Sequence, residues 1–202
     1  MNLAGMFLGR SWLTIESRKM LPEGVLPDRP KRKLDPELIV EPGLALCSYK
    51  DTGWGDLVRK CKYETGRFDD RLVDAAREAI LATWEVECMG WWITAVPSLR
   101  SPELVAGFAE RLAGALQIPF SPALIKTKET AEQKLMQNSA QQVENIMTAF
   151  RANASLVRPG PVILVDDMVD SGWTVTTCGA RLLRSGSGPV HPFALASFRR
   201  GV

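Results

Sequence analysis

Between Phe68 and Trp84 apolar residues recur at every fourth position, Leu72, Ala76, Ile80 and Trp84, with Asp70, Arg71, Asp74, Arg77 and Glu78 between them. This spacing predicts an amphipathic helix with one buried face. The segment GWWITAVPS at 90–98 then reads as a buried strand. A second helical stripe follows at Leu104, Val105, Phe108, Leu112 and Leu116, and Pro119–Lys126 is apolar and long enough for another strand. A third stripe, Val143, Ile146, Met147 and Phe150, precedes the strand VILVDD. Val175, Cys178, Leu182 and Leu183 mark the next helix, and HPFALAS at 191–197 closes as a strand.

Strands alternating with helices of this length require crossover connections. They predict an α/β fold with a mostly parallel, doubly wound sheet, helices on both faces, and binding sites at the carboxyl ends of the strands.

The segment VILVDDMVDSGWT, Val162 to Thr174, concentrates the chemistry. Val162 to Val165 form a continuous apolar run, as a central parallel strand requires, and the run stops at the carboxylates Asp166 and Asp167. Asp170, Ser171, Gly172, Trp173 and Thr174 follow, combining a glycine suited to positive φ with hydroxyls and the start of a helix. Such a turn aims several backbone N–H groups at one point, which suits a phosphate.

The string resembles the phosphoribosyl-diphosphate signature of type I phosphoribosyltransferases at all thirteen of its positions. That resemblance implies the type I phosphoribosyltransferase fold. It also implies that Asp166 and Asp167 contact the ribose hydroxyls, and that Asp170 to Thr174 wrap the 5′-phosphate. Mg²⁺ would be bound through the ligand rather than by protein ligands. The loop Ser98, Leu99, Arg100 and Ser101 falls where the family grips pyrophosphate. The same residues also make an ordinary helix start, with Ser101 as N-cap, Pro102 in the first turn and Glu103 behind it. A hood over the diphosphate is expected near QKLMQNSAQQVENIMTAF, with Lys126, Lys128 and Lys134 as candidate phosphate cations or plain surface lysines.

That stretch is also similar to ComF-type proteins at Gln133, Asn145 and Ala149-Phe150, without the arginine usual near the asparagine. A longer resemblance is to the phosphoribosyltransferase-like domain at the end of certain bacterial RecQ-family helicases, through TGWGDLV, VPSLRSPELV, MQNSAQQVEN, LVDDMVDSGWT and HPFALAS. It implies a helicase partner, and no helicase ATPase motif accompanies it.

Charge adds one element. Arg10, Arg18, Lys19, Arg29, Lys31, Arg32 and Lys33 crowd a proline-punctuated stretch, so residues 1–35 read as a basic extension and 36–202 as the domain. The extension is either a solvated connector or a DNA- or partner-contacting arm. A net charge of +2 is too mild for composition alone to signal nucleic acid or membrane. Four dispersed cysteines without a C-x-x-C pair, and no long apolar run, point to a soluble, reducing, cytoplasmic setting. His191 reads as a structural histidine. Trp54 and Trp173 read as packing residues or as base-stacking faces. No residue set for reading an acceptor base stands out, and the oligomeric state is not legible.

Overall fold

A computed structural model of the chain describes residues 12–21, 33–87, 90–127 and 145–198. The strands are β1 (Leu13–Ile15), β2 (Gly43–Ser48), β3 (Trp92–Ala95), β4 (Leu124–Lys126), β5 (Phe150–Ala152), β6 (Val162–Val169) and β7 (Val190–Ser197). The helices are α1 (Trp54–Lys60), continued by a π turn Cys61–Thr65, α2 (Asp70–Thr83), α3 (Pro102–Leu116) and α4 (Trp173–Arg184). The main sheet runs β1-β2-β7-β6-β3 and is parallel except for β1. The expected doubly wound, mostly parallel α/β architecture is therefore present.

β6 lies inside the sheet, and the strand pleat turns its successive side chains to opposite faces. Ile163 and Val165 join a core with Phe68, Leu72, Phe108 and Leu112 from the α2 and α3 side. Val162 and Leu164 join a second core with Val175, Cys178 and Leu182 of α4. Burial on both faces explains why four consecutive apolar residues were needed. At about 25 cal/mol per Å², each such side chain contributes roughly 1.5–3 kcal/mol, so a polar residue at any of the four would be costly.

Two expectations need correction. The strand expected over Pro119–Lys126 is only Leu124–Lys126. It leaves the main sheet to pair antiparallel with β5, while Phe120 makes a single bridge to Ile93. The ladder along β3 stops after Ser121, whose N–H donates to the Ile93 carbonyl at 2.9 Å, because the next N–H on that edge, that of Ala123, donates instead to the Ser121 carbonyl at 2.8 Å and to Thr94 Oγ1 at 3.3 Å. Phe150, read as the end of a helical stripe, opens β5 instead, and the described helix covers 145–149. Val143 lies outside the described residues.

The stretch from Pro36 to Thr65, for which the pattern offered no elements, holds β2 and α1. Part of the basic extension is built into the domain: Leu13–Ile15 pair with β2, and Ile15 and Leu21 are buried. Among the described residues no helix is long and apolar enough to cross a membrane. Cys47, Cys61 and Cys178 are free buried thiols. Burial, then the charge of Asp51, pushes Cys47 up to about 12, so it is a poor nucleophile at neutral pH.

Candidate phosphate and ribose site

The helix after β3 packs on one face of the sheet and the helix after β6 on the other. Adjacent strands whose following helices diverge leave a crevice at their carboxyl ends. β3 is paired with β6 only as far as Ala95 opposite Val165, whereas β6 stays paired with β7 up to Val169 opposite Ser197. Asp166 and Asp167 begin where the β3 ladder stops, so they stand at that crevice with support on one side.

The pleat separates the two carboxylates. Asp166 follows Val162 and Leu164 onto the α4 side and is buried, with Oδ1 accepting the Asp167 N–H at 2.8 Å. Burial, then the adjacent Asp167 charge, pushes the Asp166 carboxyl up to about 7, against the opposing pull of Lys62 and Lys126. Asp167 takes the other side, where its Oδ2 meets Lys62 Nζ at 2.8 Å. Burial alone would lower the Lys62 pKa, but the Asp167 carboxylate more than reverses this and leaves it raised. The strand end thus carries two carboxylates, one paired with an ammonium and one held without full charge compensation.

Gly172, at φ 81°, is the N-cap of α4. Only glycine takes that conformation without cost, and it turns the chain sharply from strand into helix. The first intrahelical bond is Thr176 N–H to the Gly172 carbonyl at 3.1 Å, so the amides of Trp173, Thr174 and Val175 have no intrahelical acceptor. They and the helix dipole make an anion seat. Asp170 is exposed, Ser171 and Thr174 are half-buried at the turn, and Trp173 is buried in the α4-side core, which removes its face from base stacking.

The described part of the basic extension straps this turn from outside. Arg18 Nε donates to the Ser171 carbonyl at 2.7 Å, and Arg18 N donates to Thr176 Oγ1 at 3.1 Å. Thr176 Oγ1 in turn donates to the Gly172 carbonyl at 2.9 Å. The guanidinium also lies 5.9 Å from the centre of the Trp173 ring. Both carbonyls are thereby held in place, which fixes the turn. Arg18→Ala is expected to destabilise the fold by ~1.5 kcal/mol or more, from the loss of the charged hydrogen bond to the Ser171 carbonyl. Thermal unfolding checks it, and an unchanged melting temperature would show that the strap contributes nothing to the turn.

The loop after β3 stands across the crevice, tied to β6 by Val96 N–H donating to the Val165 carbonyl at 2.8 Å. Ser98 Oγ accepts the Ser101 N–H at 3.2 Å. Ser101 is the N-cap of α3 without a side-chain cap bond, with Pro102 and Glu103 in the first turn. The local helix-start reading is therefore present in geometry. Leu99 and Arg100 are exposed at the loop tip. Lys126, on β4, lies over the Phe150 ring at 5.5 Å and is close enough to draw down the Asp166 pKa, so it belongs to the site's electrostatics. Lys128 and Lys134 lie outside the described residues.

His191, at the amino end of β7, sits between Trp84 and Trp91 at 5.2 and 4.8 Å, at the opposite end of the sheet from the aspartates. Trp54, half-buried, packs against the α2-side core. Lys62 and the role of Arg18 were not legible in the sequence. Lys62 sits in an unremarkable CKYET, and Arg18 was one charge among many. Their significance comes from chain segments 105 and 153 residues away in sequence.

No protein-family model matches the chain, and no curated protein matches it. Among solved structures the chain is similar to glutamine phosphoribosylpyrophosphate amidotransferase from B. subtilis complexed with ADP and GMP. There the identity is 21%, the overlap covers 61% of this chain and 26% of that one, and the TM-score is 0.41. It is similar to an allosteric regulatory enzyme of purine biosynthesis at 20% identity, over 61% of this chain and 25% of that one, with a TM-score of 0.41. It is similar to an adenine phosphoribosyltransferase at 17% identity, over 63% of this chain and 72% of that one, with a TM-score of 0.41. The chain thus spans about a quarter of the length of the first two. The reading of the site rests on this chain's own residues.

Proposed function

We propose that the chain is a phosphoribosyltransferase-like protein whose crevice binds phosphoribosyl diphosphate or a related ribose 5-phosphate ligand. What supports this is the Gly172 turn, which starts α4 a few residues after Asp166 and Asp167 and leaves the amides of Trp173 to Val175 without intrahelical acceptors. The amides of Trp173 to Val175 hold the phosphate, and the Ser171 and Thr174 hydroxyls supplement them. The carboxylates accept hydrogen bonds from the ribose hydroxyls. The loop at Ser98 to Ser101 and the Lys126 ammonium face the diphosphate.

Among the described residues no group of three or more potential ligands could hold a metal ion. Two oxygen donors beside a phosphate seat do suit Mg²⁺, which is commonly held by one or two carboxylates plus substrate phosphates. Asp166 and Asp167 would hold it through the ligand's oxygens. When bound, it would neutralise diphosphate charge.

In the transfer reading, the bond from ribose C1 to the diphosphate oxygen breaks with its electron pair leaving on pyrophosphate. A nitrogen nucleophile then forms the new bond to C1. Positioning and charge stabilisation would supply the rate enhancement. The test is pyrophosphate release from phosphoribosyl diphosphate and Mg²⁺ across a panel of bases. Stimulation by one acceptor is expected. Binding without stimulated release would leave a ligand-sensing module, and neither binding nor release would overturn the proposal.

Association with a helicase or with DNA rests on the sequence resemblance and the basic extension. Removing the first 34 residues would also remove β1 and Arg18. Neutralising Arg10, Arg29, Lys31 and Arg32 together separates a DNA-binding role from a structural one.

A further inference from the structure

Lys62 touches the carboxylate end of the site, yet the phosphate and ribose reading gives it no task. Its ammonium meets Asp167 Oδ2 at 2.8 Å, and the two side chains are only 27% and 14% exposed. The pair is therefore shielded from the solvent screening that makes rim ion pairs weak. It ties β6, which carries Asp167, to the π turn that continues α1 and carries Lys62.

The turn holds Lys62 at that place. Cys61 is buried in the same core as Val58, and its carbonyl accepts from Thr65 Oγ1 at 3.2 Å and from the Gly66 N–H at 2.9 Å. Gly66, at φ 69°, closes the segment, and π turns of this kind are often found at functional sites. Lys62 also has a second seat. Its Nζ lies 5.7 Å from the centre of the Tyr63 ring, and Tyr63 is 66% exposed. A cation over a phenol face keeps part of its stabilisation when it leaves a carboxylate. Arg59, on α1, is committed to the local fold through the Tyr49 carbonyl and the Asp56 carboxylate.

Two adjacent carboxylates at a strand end are oxygen donors of the kind that bind a small divalent cation directly. Asp166 is buried, with Oδ1 on the Asp167 N–H, so Asp167 offers the more accessible oxygens. With an ammonium on one of those oxygens, a dication seeking the same carboxylate faces a like charge at close range, where repulsion in partly buried surroundings is strong.

We propose that Lys62 is a placeholder cation, which neutralises Asp167 while the crevice is empty, keeps divalent metal off the carboxylates, and yields when the ribose hydroxyls and the metal arrive together with the ligand. This rests on the phosphoribosyl reading and adds the order of its events. Metal enters with the diphosphate rather than ahead of it, and the ammonium moves to the Tyr63 ring as Asp167 turns to the ribose. Lys62 is thus also a brake on ligand affinity, because its ion pair must break before the site fills.

Mn²⁺ alone, followed by its electron paramagnetic resonance signal, probes the metal half. Ribose 5-phosphate without metal, followed by calorimetry, probes the ribose half. The parent and Lys62→Arg, which keeps the positive charge, are expected to bind Mn²⁺ weakly. Lys62→Met is expected to bind it about tenfold or more tightly, as removal of a close like charge implies. Adding Asp167→Asn to Lys62→Met is expected to abolish that gain, which locates the metal. Lys62→Met is also expected to bind ribose 5-phosphate about tenfold more tightly than the parent, because Asp167 is already free to accept. A lysine with a merely structural role would lower the melting temperature and raise neither affinity.

The two halves fail separately. If ribose 5-phosphate binds none of the proteins while Lys62→Met still gains Mn²⁺, the placeholder stands and the phosphoribosyl reading falls. Equal Mn²⁺ affinity in the parent and Lys62→Met, or weaker binding of ribose 5-phosphate by Lys62→Met, overturns the inference.

Discussion

Gly172→Val is expected to abolish calorimetrically detectable binding of phosphoribosyl diphosphate in Mg²⁺, a loss of at least about a hundredfold, while the protein remains folded. Gly172 holds φ 81°, and a Cβ there would stand 3.4 Å from the Glu16 carbonyl oxygen. A β-branched residue is strained in that conformation by a few kcal/mol, and the turn relaxes by rotating its peptide planes. The amides of Trp173 and Thr174 then leave the crevice. Asparagine tolerates the left-handed region better, so Gly172→Asn is expected to fall between the two. Equal affinities across the three proteins would contradict the role given to this turn.

Asp166→Asn, by contrast, is expected to raise stability at neutral pH and to lower affinity for the proposed ligand. Well below the ordinary value of 3.8 the Asp166 carboxyl is protonated in both folded and unfolded chains, and it costs nothing. As pH rises towards 7 the unfolded chain ionises freely while burial and Asp167 hold the folded carboxyl up to about 7. Folding therefore loses stability through that window, by roughly 2–4 kcal/mol, and the loss is complete above it. Asparagine keeps an oxygen for the Asp167 N–H and has no charge to desolvate. Melting temperatures compared at pH 4.5 and pH 8 should show the variant gaining about 5 °C or more at the higher pH and clearly less at the lower. A variant that melts below the parent at pH 8 would show that the charge is already compensated. Such a stability cost is what a site held ready for a ligand is expected to carry.

What the sequence disclosed, and what it withheld, follows from the range of each interaction. The run Val162–Val165, the two aspartates and the glycine turn are local, so composition and spacing made both strand and helix start readable. Helices α2 and α3 were readable from periodicity; α3 starts at Pro102, as its helix-start residues implied, and α2 runs Asp70–Thr83 behind the capping side chain of Asp69. β2 was missed although Gly43 to Ser48 is almost wholly apolar. A short run without alternation is ambiguous, and only pairing with β7 makes it a strand. The Ala123 N–H, turned to the Ser121 carbonyl and Thr94 Oγ1, decided where the pairing of the Pro119–Lys126 segment with β3 ends, a detail that a hydrophobic count overlooks. Arg18 and Lys62 act across long sequence separations, and no pattern in one chain reports a contact of that kind.

Backbone amide NMR of the chain titrated with ribose 5-phosphate tests the central claim most directly. Large, saturable shifts are predicted at Gly172, Trp173, Thr174 and Val175, with smaller ones at Asp166 and Asp167 and none around His191 at the far end of the sheet. Saturation without movement of those four amides, or shifts centred elsewhere, would contradict a phosphate seat at the start of α4.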